Sequence, residues 1–104
     1  MDSRNNRKQI KEQYGIVFNT LSEILFRHDP IGINFGDNTD EYDPEVGTIL
    51  PRLETATTED QVLQIIHEEF IKWFDADLVG SKEKYQALAR DVWEMWRRLK
   101  ENYK

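Results

Sequence analysis

Four stretches of this chain repeat their apolar residues at the spacing of one helical face, and that pattern confines the fold to packed helices. In the first, Ile10, Tyr14, Val17, Phe18, Leu21, Ile24, Leu25 and His28 follow i, i+3, i+4, i+7. A helix over residues 3–27 is predicted, with Gly15 tolerated inside it at about 1 kcal/mol relative to alanine. Pro30 disfavours helical geometry in the residue before it, so this helix must stop by Asp29.

The second stretch opens at Asp43-Pro44-Glu45, where Asp suits an N-cap, Pro the first helical position and Glu the positive end of the dipole. Val46, Ile49, Leu50 and Leu53 form its stripe, and Pro51 predicts a kink or an early end because it removes an N–H and crowds the carbonyl of Gly47. In the third, Thr57 or Thr58 begins a helix with Asp60 or Gln61 at capping-box spacing, and Val62, Ile65, Ile66, Phe70, Trp73 and Phe74 line one face. After a break at residues 75–80, Ser81 caps a fourth helix carrying Tyr85, Leu88, Ala89, Val92, Trp96, Leu99 and Tyr103 on its face. Its last two turns hold Arg97, Arg98, Lys100 and Lys104, as the helix dipole favours.

The predicted fold is therefore all-α. It is a small four-helix bundle, three long helices plus one short, Pro-kinked helix, with a long acidic loop between helices 1 and 2. At 104 residues the chain is expected to form one domain over 1–104, because either half alone would be too small to bury a core. Trp73 and Trp96 sit on core stripes. Trp93 lies about 100° from the stripe of its helix, beside Arg90 and Arg97, which leaves it either bordering the core or exposed as an interface anchor.

Charge is unevenly placed. Residues 28–60 hold nine acids against one base, Arg52, a net of −8, so a total of −6 leaves +2 for the rest of the chain. Such a segment repels nucleic acid and attracts a basic protein surface. With no cysteine there are no disulfides, thiolate metal sites or Cys nucleophile, and a cytoplasmic location is expected. No apolar run approaches the roughly 18–20 residues of a membrane span, and the first seven residues lead into no signal-peptide core, so no membrane partner is expected.

No set of residues converges on catalysis. There is no G-x-S-x-G elbow, phosphate-binding glycine loop or H-E-x-x-H pair, so no enzyme, cofactor or metal is predicted. His67 reads as a surface or boundary residue. The carboxylates and amides of residues 37–43 suit a hard cation in type but not in EF-hand spacing, and turn and cap duty accounts for them. His28, Asp29 and Asp40 define an alternative, a small-ligand or metal pocket in the 28–43 loop. A second alternative is a homo-oligomeric structural subunit with an apolar patch around Trp93.

The residues Asp29-Pro30-Ile31-Gly32-Ile33, followed by Asp40-Glu41-Tyr42-Asp43, resemble a group of small bacterial helical proteins. In that group Asp-Pro-Ile-Gly follows the first helix and Asp-Glu-Tyr-Asp leads into a short one; His28 stands here where those proteins carry tryptophan. The match covers mainly residues 28–53, with looser similarity in residues 69–74 and the last helix. It brings no activity with it; by analogy, small acidic proteins of this kind include immunity-type proteins that neutralise a basic partner. The leading expectation is a non-enzymatic protein-binding module contacting a basic partner through Phe35, Asp37, Asp40, Glu41, Tyr42, Glu45 and Trp93.

Overall fold

The computed structural model describes residues 14–32 and 42–100. Among them the regular elements are α1 (Ile16–His28), α2 (Asp43–Leu53), α3 (Glu59–Trp73), a four-residue α4 (Ala76–Val79), a 3-10 turn (Lys82–Tyr85) and α5 (Gln86–Leu99). All are helical, as the apolar period requires. The predicted helical residues 3–13, the loop residues 33–41 and residues 101–104 lie outside the described part.

The first helix does not run through Gly15. That residue adopts φ 55° and ψ −119°, a conformation open to glycine and strained for any residue bearing a Cβ, so helix is interrupted after Tyr14 and resumes at Ile16. At its other end α1 stops where Pro30 dictates. Asp29 takes the left-handed conformation, φ 45°, and its N–H reaches the Leu25 carbonyl at 2.8 Å. Aspartate is among the few side chains that tolerate this region.

The second helix starts one residue earlier than its cap signal suggests. Val46 N–H bonds the Tyr42 carbonyl at 3.0 Å, which makes Tyr42 the N-cap and puts Asp43 and Pro44 in the first turn. Pro51 does not end it at once, since α2 continues to Leu53 with Pro51 on its exposed side. Thr58 caps α3 as expected: its Oγ1 accepts the Gln61 N–H at 3.1 Å, while Gln61 Oε1 turns back to the Thr57 N–H. The interval after α3 holds an element the sequence reading missed. Asp75 Oδ1 accepts the Leu78 N–H at 2.8 Å and caps α4.

Packing follows the stripes. Helix α1 packs on α2 and α5, and α3 packs on α2 and α5, so the four longer helices close on one another in a ring. Val17, Phe18, Leu21 and Leu25 from α1, Val46, Ile49, Leu50 and Leu53 from α2, Val62, Ile66 and Phe70 from α3, and Val92 and Trp96 from α5 are buried in one continuous core. Each large side chain so buried contributes about 1.5–3 kcal/mol of transfer free energy. Phe70 lies at its aromatic centre, with ring centroids 6.1 Å from Tyr42 and 5.7 Å from Tyr85. Below that cluster the Tyr85 hydroxyl donates to the Val79 carbonyl at 2.7 Å, and burial pushes its pKa up. The His67 ring nitrogen meets the next carbonyl, that of Gly80, at 2.9 Å, so two side chains pin the chain between α4 and the 3-10 turn.

Candidate partner-binding surface

The expected contact residues are dealt with first by burial. Tyr42 is 0% exposed and Glu45 is 4% exposed, so neither lies on the outer rim where partner contact was expected. The reason is local. The Tyr42 hydroxyl donates to Asp29 Oδ1 at 2.8 Å and accepts the Ile31 N–H at 3.3 Å, closing the start of the crossover onto its end. Immediately after it, Asp43 accepts a short hydrogen bond from Ser22 Oγ in the middle of α1. Tyr42, Asp43 and Asp29 therefore fasten the crossover to the core, and a phenol with both a ring to bury and a hydroxyl to satisfy is suited to that job. Phe35, Asp37, Asp40 and Glu41 lie outside the described residues.

His28 and Asp29, the described members of the alternative pocket, turn to different partners. His28 Nε2 lies 2.7 Å from Asp91 of α5, whereas Asp29 faces Tyr42. They are engaged in joining elements, and among the described residues no cluster of three or more His, Asp or Glu side chains could hold a metal ion. Trp93 is half-buried against the core with the Arg97 guanidinium 5.7 Å from its ring centroid, which fits the core-border reading. Beside it Glu94, Arg97 and Arg98 line a shallow depression.

The departure with most consequence is Trp73. Predicted as core, it is 43% exposed at the last residue of α3, one turn beyond the fully buried Phe70. The helix ends there, so no further turn of α3 covers it. Its indole N–H donates to Thr48 Oγ1 of α2 at 2.9 Å, which fixes the ring over the seam between α2 and α3. A tryptophan near a helix end, carrying a donor that needs a partner, is the signal in the sequence that a stripe count overlooks.

An ionic network runs along the same seam. Arg52 places Nη1 2.8 Å from Glu69 and Nη2 2.7 Å from Glu68, and Lys72 Nζ lies 3.1 Å from Glu69. The Glu69 side chain is 5% exposed. Burial pushes its carboxyl up, but hydrogen bonds from Lys72, Arg52 and Thr48 outweigh that and hold it below its ordinary value. Glu68 is lowered too, first by its hydrogen bond from Gln64 and then by Arg52, whose own pKa is raised, above all by Glu68. The seam's two cations are thus matched by its two carboxylates.

Compared with protein-family models, with curated proteins and with solved structures, the chain matches none. Among the described residues no helix is long and apolar enough to cross a membrane.

Proposed function

We propose that this chain is a non-enzymatic protein-binding module, built on a small four-helix bundle, that recognises a basic surface on another protein. The observation that carries this reading is the charge distribution: a net of −8 over residues 28–60 in a chain whose remainder is +2. Charge concentrated in this way steers association with a basic protein and selects against acidic ones and nucleic acid.

Tyr42 and Glu45 act in this account as internal anchors, and the contact role falls to Phe35, Asp37, Asp40 and Glu41. A cytoplasmic partner, including a basic toxin neutralised in the manner of an immunity protein, is compatible with the chemistry. The resemblance to Asp-Pro-Ile-Gly and Asp-Glu-Tyr-Asp proteins adds the small helical context and no activity. The test is affinity capture from the source cells with the wild-type chain and with a variant carrying Asp37→Asn, Asp40→Asn and Glu41→Gln. A basic partner recovered in stoichiometric amount by the wild type, and lost with the variant or at high salt, is expected. Equal recovery by both chains, or repeated absence of a stoichiometric partner at low salt, contradicts the proposal.

A further inference from the structure

Two groups of contacts on the α2–α3 seam share one side chain. Glu69 and Trp73 stand at i and i+4 in α3, and Thr48 and Arg52 at i and i+4 in α2, so each pair projects from one face of its helix toward the other. The Trp73 indole N–H donates to Thr48 Oγ1 at 2.9 Å, and the Thr48 hydroxyl donates to the Glu69 carboxylate. Glu69 is the buried end of this chain of bonds, and Trp73, at 43% exposure, is the exposed end.

A hydroxyl has one hydrogen to give, and Thr48 has two acceptors for it, the Glu69 carboxylate and the Glu45 backbone carbonyl at 3.1 Å. While Glu69 is ionised the charged acceptor makes the stronger bond, and donation to it polarises Thr48 Oγ1 into a better acceptor for the indole. Protonation turns the carboxyl into a donor, so the Thr48 hydrogen passes to the Glu45 carbonyl and the anionic end of the chain is lost. Glu69 faces Arg52 from α2 and Lys72 from its own helix, with Glu68 sharing Arg52, and the buried Glu45 lies one turn before Thr48. On the other sides of α3, Glu59 pairs with Arg90 of α5 at the far end of the helix, His67 meets the Gly80 carbonyl and Asp75 caps α4.

We infer that Glu69 and Thr48 form a latch on the exposed Trp73, closed while the Glu69 carboxylate is ionised and released when it takes up a proton. Glu69 is the sensor, Thr48 the relay and the indole the part that moves. The hydrogen bonds around the Glu69 carboxyl hold it below its ordinary 4.5, so the latch is closed at neutral pH and opens only as the solution is acidified past that value. Arg52 and Lys72 each lose a charged acceptor in the same step, which loosens the seam beside Trp73.

The test follows the Trp73 indole N–H resonance of the full, isotope-labelled chain, assigned with Trp73→Phe, from neutral pH into the acid range, while far-UV circular dichroism reports at each pH whether the helices persist. In the wild type the resonance is expected to shift in step with that of the Glu69 carboxyl carbon, before helix is lost. At neutral pH Glu69→Gln, which offers Thr48 no charged acceptor, is expected to place the indole resonance near the wild type's acid end-point and to let its hydrogen exchange with solvent about tenfold faster. Thr48→Val is expected to abolish the acid shift and Thr48→Ser to retain it. A shift that survives in Glu69→Gln or Thr48→Val, or that disappears with Glu45→Gln instead, overturns the latch. So does an indole that stays still while Glu69 titrates, or that moves only where helix is lost.

Discussion

Tyr42 joins the two ends of the crossover through a single oxygen, donating to Asp29 and accepting from Ile31 while its ring packs edge-on to Phe70. Tyr42→Phe keeps the ring and removes the oxygen, so its cost isolates the polar clamp. A loss of about 1–3 kcal/mol is expected, since buried groups are left with a bond fewer, and chemical denaturation monitored by circular dichroism measures it. Gly15 makes a second residue-scale case. No atom lies within 4 Å of where its Cβ would stand, so Gly15→Ala meets no clash and pays only for backbone conformation. A destabilisation of about 1–3 kcal/mol is expected in the same assay, whereas the gain usual for Gly→Ala inside a regular helix would contradict the break at Gly15.

These two residues also show what the sequence could and could not tell. The helix stop at Asp29 was legible because Pro30 acts through local sterics, and the Thr58 cap because its partner is three residues away. The break at Gly15 was not, because glycine inside an apolar period is compatible with either a helix or its interruption. Tyr42 and Glu45 read as surface residues within an acidic run; what buries Tyr42 is a bond to Asp29, thirteen residues earlier, and local pattern carries no information about such a partner.

At the scale of elements, the α2–α3 pair is joined by both apolar burial and the Arg52, Glu68, Glu69 and Lys72 network. Glu69 supplies the pH dependence. Its folded pKa lies below the ordinary 4.5, so its contribution is fully present above that value and is lost as pH falls through the depressed one. Glu69→Gln should therefore be less stable than the wild type at neutral pH, with the gap narrowing below about pH 4.5 as the wild-type carboxyl takes up its proton. Urea denaturation of both proteins across the acid range reads this directly, and a gap that widens on acidification contradicts it. The helices themselves were legible from apolar spacing, but the short α4 was not, since four residues contain too few positions to show a period. Trp73 failed for a related reason. The stripe places it on the core side of α3, yet the helix ends there, and the side chain turns to a hydroxyl on the neighbouring helix instead.

At the scale of the whole molecule, the four longer helices among the described residues pack on one another around one continuous apolar core. Part of the acidity was legible only as charge. Asp29 and Asp43 engage Tyr42 and Ser22, Glu59 pairs with Arg90 at 3.8 Å, and Glu45 is buried, so at least four of the nine acids in residues 28–60 serve the fold before any partner arrives. The remaining acids still outnumber Arg52, and the proposed function assigns them to the speed and selectivity of encounter. Stopped-flow association of the chain with its captured partner, over a series of ionic strengths, tests this most directly. The association rate is expected to fall steeply as salt rises while the dissociation rate changes little; an association rate indifferent to salt would contradict recognition by charge.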